Sequence, residues 1–311
     1  YHELCVADQY PACHPILASL PKLTIHSWLT ALQTERLEQK AQLITQRLKH
    51  CNSNWEDAFF ITLARNFGFG LNGDAFETWA GLLPFRAMDK HRNDLFQIEA
   101  FFYGLAGLLE ETFLKKEQED EYSLRLCKEF RYLQRKFEIG QGMDATLWRF
   151  LRLRPENFPH IRLAQLAYLY QKGDKLFSRL LEAETLADVR NLLDARTSPY
   201  WENHYLFGRP SSQKEKTMGE RSKDLIIINT VVPFLYTYGL HKADERMCER
   251  AGRFLEELKA ESNHIIRSWS DAGLPVVSAA DSQALIQLQK EYCDKRKCLY
   301  CRFGYEYLRK K

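Results

Sequence analysis

Apolar residues recur at three- and four-residue intervals along most of the chain, the spacing that lines one face of an α-helix. Thr24 is the predicted N-cap of a long helix reaching about His50, with Trp28, Leu29, Leu32, Leu37, Leu43, Ile44 and Leu48 as its apolar stripe. Asn54 is expected to cap a second helix, Trp55 to about Phe67, which Gly68 and Gly70 would stop. A third runs from about Ala75 to Leu83, before Pro84. Asn93 is then read as the cap of a strongly apolar helix through Leu109 in which Phe96, Ile98, Phe101, Phe102, Leu105, Leu108 and Leu109 leave few polar faces, so this helix is placed in the middle of the core.

Beyond a charged candidate loop, Lys115 to Glu121, the periodicity predicts helices over Tyr122–Phe137, from Asp144 to Leu151, from Pro159, and after caps at Asp174 and Thr185. A helix from Ser222 contains Pro233, which removes a backbone hydrogen bond and should kink it. Helices over Lys242–Leu258 and Ser262–Asp271 follow, and Asp281 is read as the cap of Ser282–Tyr292. Val276-Val277 is too short to build a sheet. The expected fold is all-α: an irregular multi-helix bundle of about 12–15 helices with essentially no sheet. Residues 208–221, rich in Pro, Ser and Lys, are read as a mobile loop between a helical region 1–207 and a second, 222–311, although the two can pack as one domain.

Composition narrows the class. Of the 311 residues 45% are hydrophobic and 27% charged, an ordinary globular balance. No run of about 18 apolar residues is present, so no membrane-spanning helix is predicted. The chain lacks both a signal-peptide pattern and an initial Met, and is read as a fragment or processed product. Net charge is +3, but Tyr292 to Lys311 holds seven basic residues against two acids; this tail is +5 and the rest of the chain −2. A basic tail can meet phosphate or simply be solvated.

Eight cysteines are present, too sparse in a chain of this size for a disulfide scaffold, so a reducing, cytoplasmic setting is expected. Three are bunched: Cys293, Cys298 and Cys301, separated by four and two residues. Soft thiolates at this spacing suit zinc or an iron–sulfur cluster, which the spacing does not separate, and Lys295, Arg296, Lys297 and Arg302 would favour the thiolate forms. A closed site needs a fourth ligand. Cys13 is preferred, in an irregular proline-bounded segment, ahead of the adjacent His14 and of Cys5.

Other constellations carry less. Arg149, Arg152, Arg154 and Arg162 gather around Pro155 to Pro159 and could meet a phosphate backbone, or pair with acids elsewhere. Glu38-Gln39-Lys40 has the letters of a nuclease Glu-x-Lys signature, but on a helix residues two apart diverge. No His-Glu-x-x-His pair, Gly-x-Ser-x-Gly elbow or phosphate-binding glycine loop occurs, so no catalytic residue is assigned.

Several segments are distinctive: Glu35-Arg-Leu-Glu-Gln-Lys40, Leu63 to Phe69, Leu95 to Ala100 with Gly107 to Glu111, Arg152 to Pro159, Ile226 to Thr230, Asp281 to Ile286 and the cysteine run. In these the chain resembles the uncharacterised bacterial family catalogued as domain of unknown function 2851. The resemblance implies that a restriction-endonuclease-like part precedes this region in longer relatives, and that Cys13 stands where the family keeps a cysteine. The leading expectation is a nucleic-acid-binding helical module, with a cysteine-held zinc or iron–sulfur site, accessory to that nuclease-like domain. DNA or RNA would meet Lys295, Arg296, Lys297, Arg302, Arg149, Arg152 and Arg154, with Tyr300, Phe303, Tyr305 and Tyr307 as candidate stacking rings. The alternative is a protein-interaction scaffold with a structural zinc.

Overall fold

The computed structural model describes residues 13–114 and 119–309. Cys5, Lys310, Lys311 and the Lys115–Gln118 part of the charged loop lie outside them. Among the described residues helices carry almost all the regular structure, and the sheet is one antiparallel pair, His204–Leu206 with Arg209–Pro210. The architecture is all-α. No helix is long and apolar enough to cross a membrane, among the described residues. The chain forms two compact units, residues 1–47 with 231–311, and residues 48–230.

In the first unit the long helix spans Lys22–His50, beginning directly after Pro21 and so ahead of Thr24. Leu29, Leu32, Leu37 and Ile44 of the predicted stripe are buried, while Leu43 is exposed. Helices Val232–Lys242 and Glu245–Glu257 form a tight pair, turned by Ala243 in the left-handed region and capped by Asp244, which accepts the Arg246 N–H at 3.1 Å. His264–Asp271 follows an Asn263 cap. The next helix is Ala279–Gln287: Ser278 is the cap and Asp281 the third residue of a capping box, each satisfying the other's backbone N–H. The helix then widens into a π-turn, Leu288–Cys293, and the chain ends in a 3-10 turn, Cys298–Tyr300, and the helix Arg302–Arg309.

The second unit is built around Leu95–Leu105, capped by Asp94 rather than Asn93: the Asp94 carboxylate accepts the N–H groups of Phe96 and Gln97 at 3.0 and 3.2 Å. Ile98, Phe101, Phe102, Tyr103 and Leu105 are buried, each contributing about 1.5–3 kcal/mol by leaving water. Glu121–Lys136 and Pro159–Lys172 pack against it, and Trp55–Phe67 pairs with Gly73–Gly81. Asn54 caps Trp55–Phe67 as predicted. Buried ring donors close the core: Trp79 Nε1 donates to Phe102 O at 3.0 Å, Trp148 Nε1 to Ala106 O at 2.8 Å, and the Tyr103 hydroxyl to His160 O at 2.7 Å. Residues 211–218 carry no regular structure, yet Lys216 and Met218 are buried, and the Met218 N–H donates to Ala195 O at 3.0 Å.

The region of Pro233 is a π-turn, Ile227–Val231, that opens into Val232–Lys242. Proline has no N–H for the carbonyl four residues earlier. That carbonyl, of Asn229, accepts Asn66 Nδ2 at 3.1 Å instead.

Candidate metal centre

All four sequence-selected cysteines fall in the first unit and in one apolar cluster. Cys13 and Cys301 are buried members of it, and Cys293 and Cys298 pack against it, with Ile16, Leu17, Leu288 and Phe303 among their neighbours. Local backbone geometry explains the convergence at the C-terminal side. Cys293 ends the π-turn. Its carbonyl accepts the Arg296 N–H at 3.0 Å, and Tyr292 O accepts the Lys297 N–H at 2.7 Å, with Arg296 in the left-handed region. This turn folds the four-residue gap back on itself. Cys298 opens the 3-10 turn, and Cys301 stands at the N-terminus of Arg302–Arg309, where its sulfur accepts the N–H groups of Gly304 and Phe303. Cys13 reaches the cluster from just before the short helix His14–Leu17. His14, the runner-up ligand, is exposed.

Burial pushes the Cys13 thiol far above the ordinary cysteine range, and the sulfurs of Cys301, Cys293 and Cys298 add to the shift, so each of the three lies within electrostatic reach of Cys13. Burial also raises Cys301, against the pull of the Gly304 and Phe303 N–H groups. Such thiols keep their protons at neutral pH unless a cation takes their place. The donor set that could hold an ion is therefore all sulfur. Among the described residues, however, no three His, Cys, Asp or Glu side chains close on a single ion position. Trp28 Nε1 is buried and directed at the Cys301 sulfur, which its N–H stabilises as thiolate.

A polar seam adjoins the cysteines. The Tyr292 hydroxyl donates to Glu35 Oε2 at 2.8 Å, and the Tyr292 ring meets Trp28 edge-on at 5.5 Å. Gln287 Nε2 donates to Glu35 Oε1 at 3.0 Å, while Arg36 Nε and Lys40 Nζ converge on Gln283 Oε1 at 2.6 and 2.9 Å. Gln283 in turn donates to Glu261. Burial holds the Arg36 guanidinium below its usual range and, with Arg36 alongside, the Lys40 ammonium well below. The distinctive segments Glu35–Lys40 and Asp281–Ile286 thus meet, a pairing that helical periodicity did not reveal. Its available signal was the i, i+4 spacing of Gln283 and Gln287 on an apolar helix.

The basic residues divide between the units. Lys295, Arg296, Lys297 and Arg302 are exposed around the cysteines in the first; Arg149, Arg152 and Arg154 are exposed in the second. Of the candidate stacking rings, Tyr300 (79% exposed) and Tyr305 (51%) are open to solvent, Tyr307 is half-buried, and Phe303 is corrected to a core residue at 0%. Arg162, grouped in sequence with the exposed arginines, is buried: it donates to Gln165 at 2.8 Å and Asn157 at 2.5 Å, covers the Phe69 ring at 4.4 Å, and burial lowers its pKa to about 10.

One buried acid in the second unit escaped the sequence reading. Glu99 is fully buried on the Phe-rich helix and accepts the Tyr122 hydroxyl, with Ser198 and Trp201 also donating toward it; burial, the larger effect, raises it to about 7. His160, packed among Tyr103, Trp201 and Phe207 in the same unit, is buried and pushed down to about 3 by the same cause, with Nδ1 unpartnered.

No curated protein and no solved structure matches this chain. A family model described as protein of unknown function (DUF2851) matches residues 1–264, a stretch that includes Cys13 and the Glu35–Lys40 segment and stops before Cys293. With most of its length matched, the chain belongs to the DUF2851 family of proteins of unknown function.

Proposed function

We propose that this chain is a nucleic-acid-binding helical module whose two ends are stapled by a metal centre on Cys13, Cys293, Cys298 and Cys301. The observation that supports this is that those four cysteines belong to one apolar cluster, from which the chain carries exposed Lys295, Arg296, Lys297, Tyr300, Arg302 and Tyr305. Cations there would neutralise phosphates, and the two rings would stack on unpaired bases. Arg149, Arg152 and Arg154 would add phosphate contacts from the second unit. In longer relatives the module would serve the nuclease-like part, in a reducing cytoplasm, the setting that few and scattered cysteines suit.

The test is binding of labelled single-stranded and duplex DNA and RNA across a salt series. Affinity should fall steeply with salt, and alanine at Lys295, Arg296 and Lys297 together should shallow the log–log slope by about 2–3. Absent or salt-independent binding would overturn the nucleic-acid role. It would favour a protein-interaction scaffold, toward which one observation already points: Lys295 pairs with Glu291 at 2.5 Å and Arg302 with Glu306 at 2.8 Å, satisfying part of the charge internally.

A further inference from the structure

We infer that residues 147–154 of the second unit form a wedge for duplex DNA: Leu151 enters a base-pair step while Arg149, Arg152 and Arg154 hold the phosphates beside it. The inference rests on the nucleic-acid reading proposed above and adds the form of nucleic acid that this surface takes.

The loop is framed on both sides. Trp148 is buried; its Nε1 donates to Ala106 O at 2.8 Å and its ring meets Phe76 edge-on at 4.8 Å. The buried Asn72 side chain brackets the next residue: Oδ1 accepts the Arg149 N–H at 2.8 Å and Nδ2 donates to Arg149 O at 2.9 Å. Phe150 packs on Phe113, Phe158 and His160. The turn Pro155–Asn157 closes the far side, its Asn157 N–H donating to Arg154 O at 2.8 Å. Between these anchors Arg152 stands in the left-handed region at φ 66°, which costs a non-glycine residue about 1–2 kcal/mol. Such strain persists only where the surrounding structure imposes it, and it collects at surfaces whose shape serves binding.

The frame presents one apolar tip among cations. Leu151 is 87% exposed, more than any other large hydrophobic side chain among the described residues. Arg149, Arg152 and Arg154 are exposed around it, and their guanidinium groups make no hydrogen bond or ion pair among the described residues. The neighbouring Glu156 pairs instead with Lys214 at 3.4 Å.

Magnitudes choose among the polyanions that three arginines could meet. A lipid surface needs more apolar anchor than this: a whole myristoyl chain alone binds a bilayer only marginally, and the loop offers Leu151 and Leu147. Unpaired bases are held by stacking on open aromatic rings, whereas Trp148 is buried and Phe150 half-buried against its neighbours. A duplex asks for what is present. One aliphatic side chain inserted at a step unstacks it and kinks the helix, and arginines beside the wedge take the phosphates that the kink brings in.

The test uses the whole chain and a short DNA duplex with 2-aminopurine in a central TA step, a step that unstacks at low cost. The emission of this base rises when it leaves the stack. Wild type should raise it severalfold. Leu151→Ala, at a site too exposed to disturb the fold, should leave emission at the level of free duplex while keeping the salt dependence of binding. Arg149→Ala, Arg152→Ala and Arg154→Ala combined should shallow the log–log salt slope by about 2–3. Duplex binding without an emission change, or a rise that survives Leu151→Ala, would overturn the wedge while leaving the nucleic-acid reading standing. Sedimentation with phosphatidylserine vesicles that Leu151→Ala abolishes, without duplex binding, would overturn it in favour of a lipid surface. A chain that binds neither single strands nor duplexes would overturn both.

Discussion

Gly304 lies directly against the backbone of Cys298: a Cβ there would stand 2.9 Å from the Cys298 carbonyl carbon and closer still to its oxygen. Gly304 is buried between Phe303 and the helix that follows, and what a Cβ would meet is backbone, so neither side can give way cheaply.

Gly304→Ala should therefore pry the Cys298–Cys301 turn open, lowering stability by about 1–3 kcal/mol and bound metal with it. Gly252, in the middle of Glu245–Glu257, has open space around its Cα. Gly252→Ala should be neutral or stabilise by up to about 1 kcal/mol, with metal content unchanged. Urea unfolding and elemental analysis of the two variants make the comparison. Equal effects would show that Gly304 is not specially constrained.

The Tyr292–Glu35 hydrogen bond links the residue before Cys293 to the long helix. Burial, and then the bond to Glu35, raise the Tyr292 phenol to about 12, so it remains a donor at every pH in which the protein is handled. Tyr292→Phe and Glu35→Gln should each cost about 1 kcal/mol, and a double-mutant cycle should show coupling of similar size. Additive effects would mean that the bond contributes nothing.

Glu99 gives a pH dependence with a definite sign. Its folded value, about 7, lies above its ordinary 4.5 because burial disfavours the charged form. The folded state thus holds a proton that the unfolded chain releases. The contribution is complete below pH 4.5, erodes as pH rises and is gone above about 7, a loss on the order of 3 kcal/mol. Glu99→Gln keeps an acceptor for the Tyr122 hydroxyl without the titration. The stability difference between variant and wild type, by urea unfolding at pH 5 and pH 8, should move in favour of the variant at pH 8. A difference independent of pH would show that Glu99 stays in one protonation state across that range.

Much of the helical architecture was legible because it rests on local rules. The caps at Asn54 and Thr185 and the proline opening Pro159–Lys172 stand where the letters put them. Where two capping residues are adjacent, as at Asn93 and Asp94, the letters favoured Asn93, but the aspartate takes the position and accepts the first free N–H groups. Asp281 was read as a cap, whereas Ser278 three residues earlier completes a reciprocal box. The π-turns at 227–231 and 288–293 were invisible, since an extra residue in a turn leaves the apolar spacing nearly intact. Buried polar groups were the real gap. Glu99 sits inside an apolar run and reads as a stray acid, because its partners Tyr122 and Ser198 are set by tertiary packing. The division of the four rings, with Phe303 inward and Tyr300 outward, required the position of the last helix.

The account stands on a sulfur from near the start of the chain joining three from near its end around one centre. Metal per chain in Cys13→Ser against wild type, with circular dichroism to confirm that the variant keeps its helices, tests this directly. The predicted result is one centre per wild-type chain and loss of most of it in a still-helical Cys13→Ser. Wild-type metal content in that variant, or a wild-type protein that binds none, would contradict it.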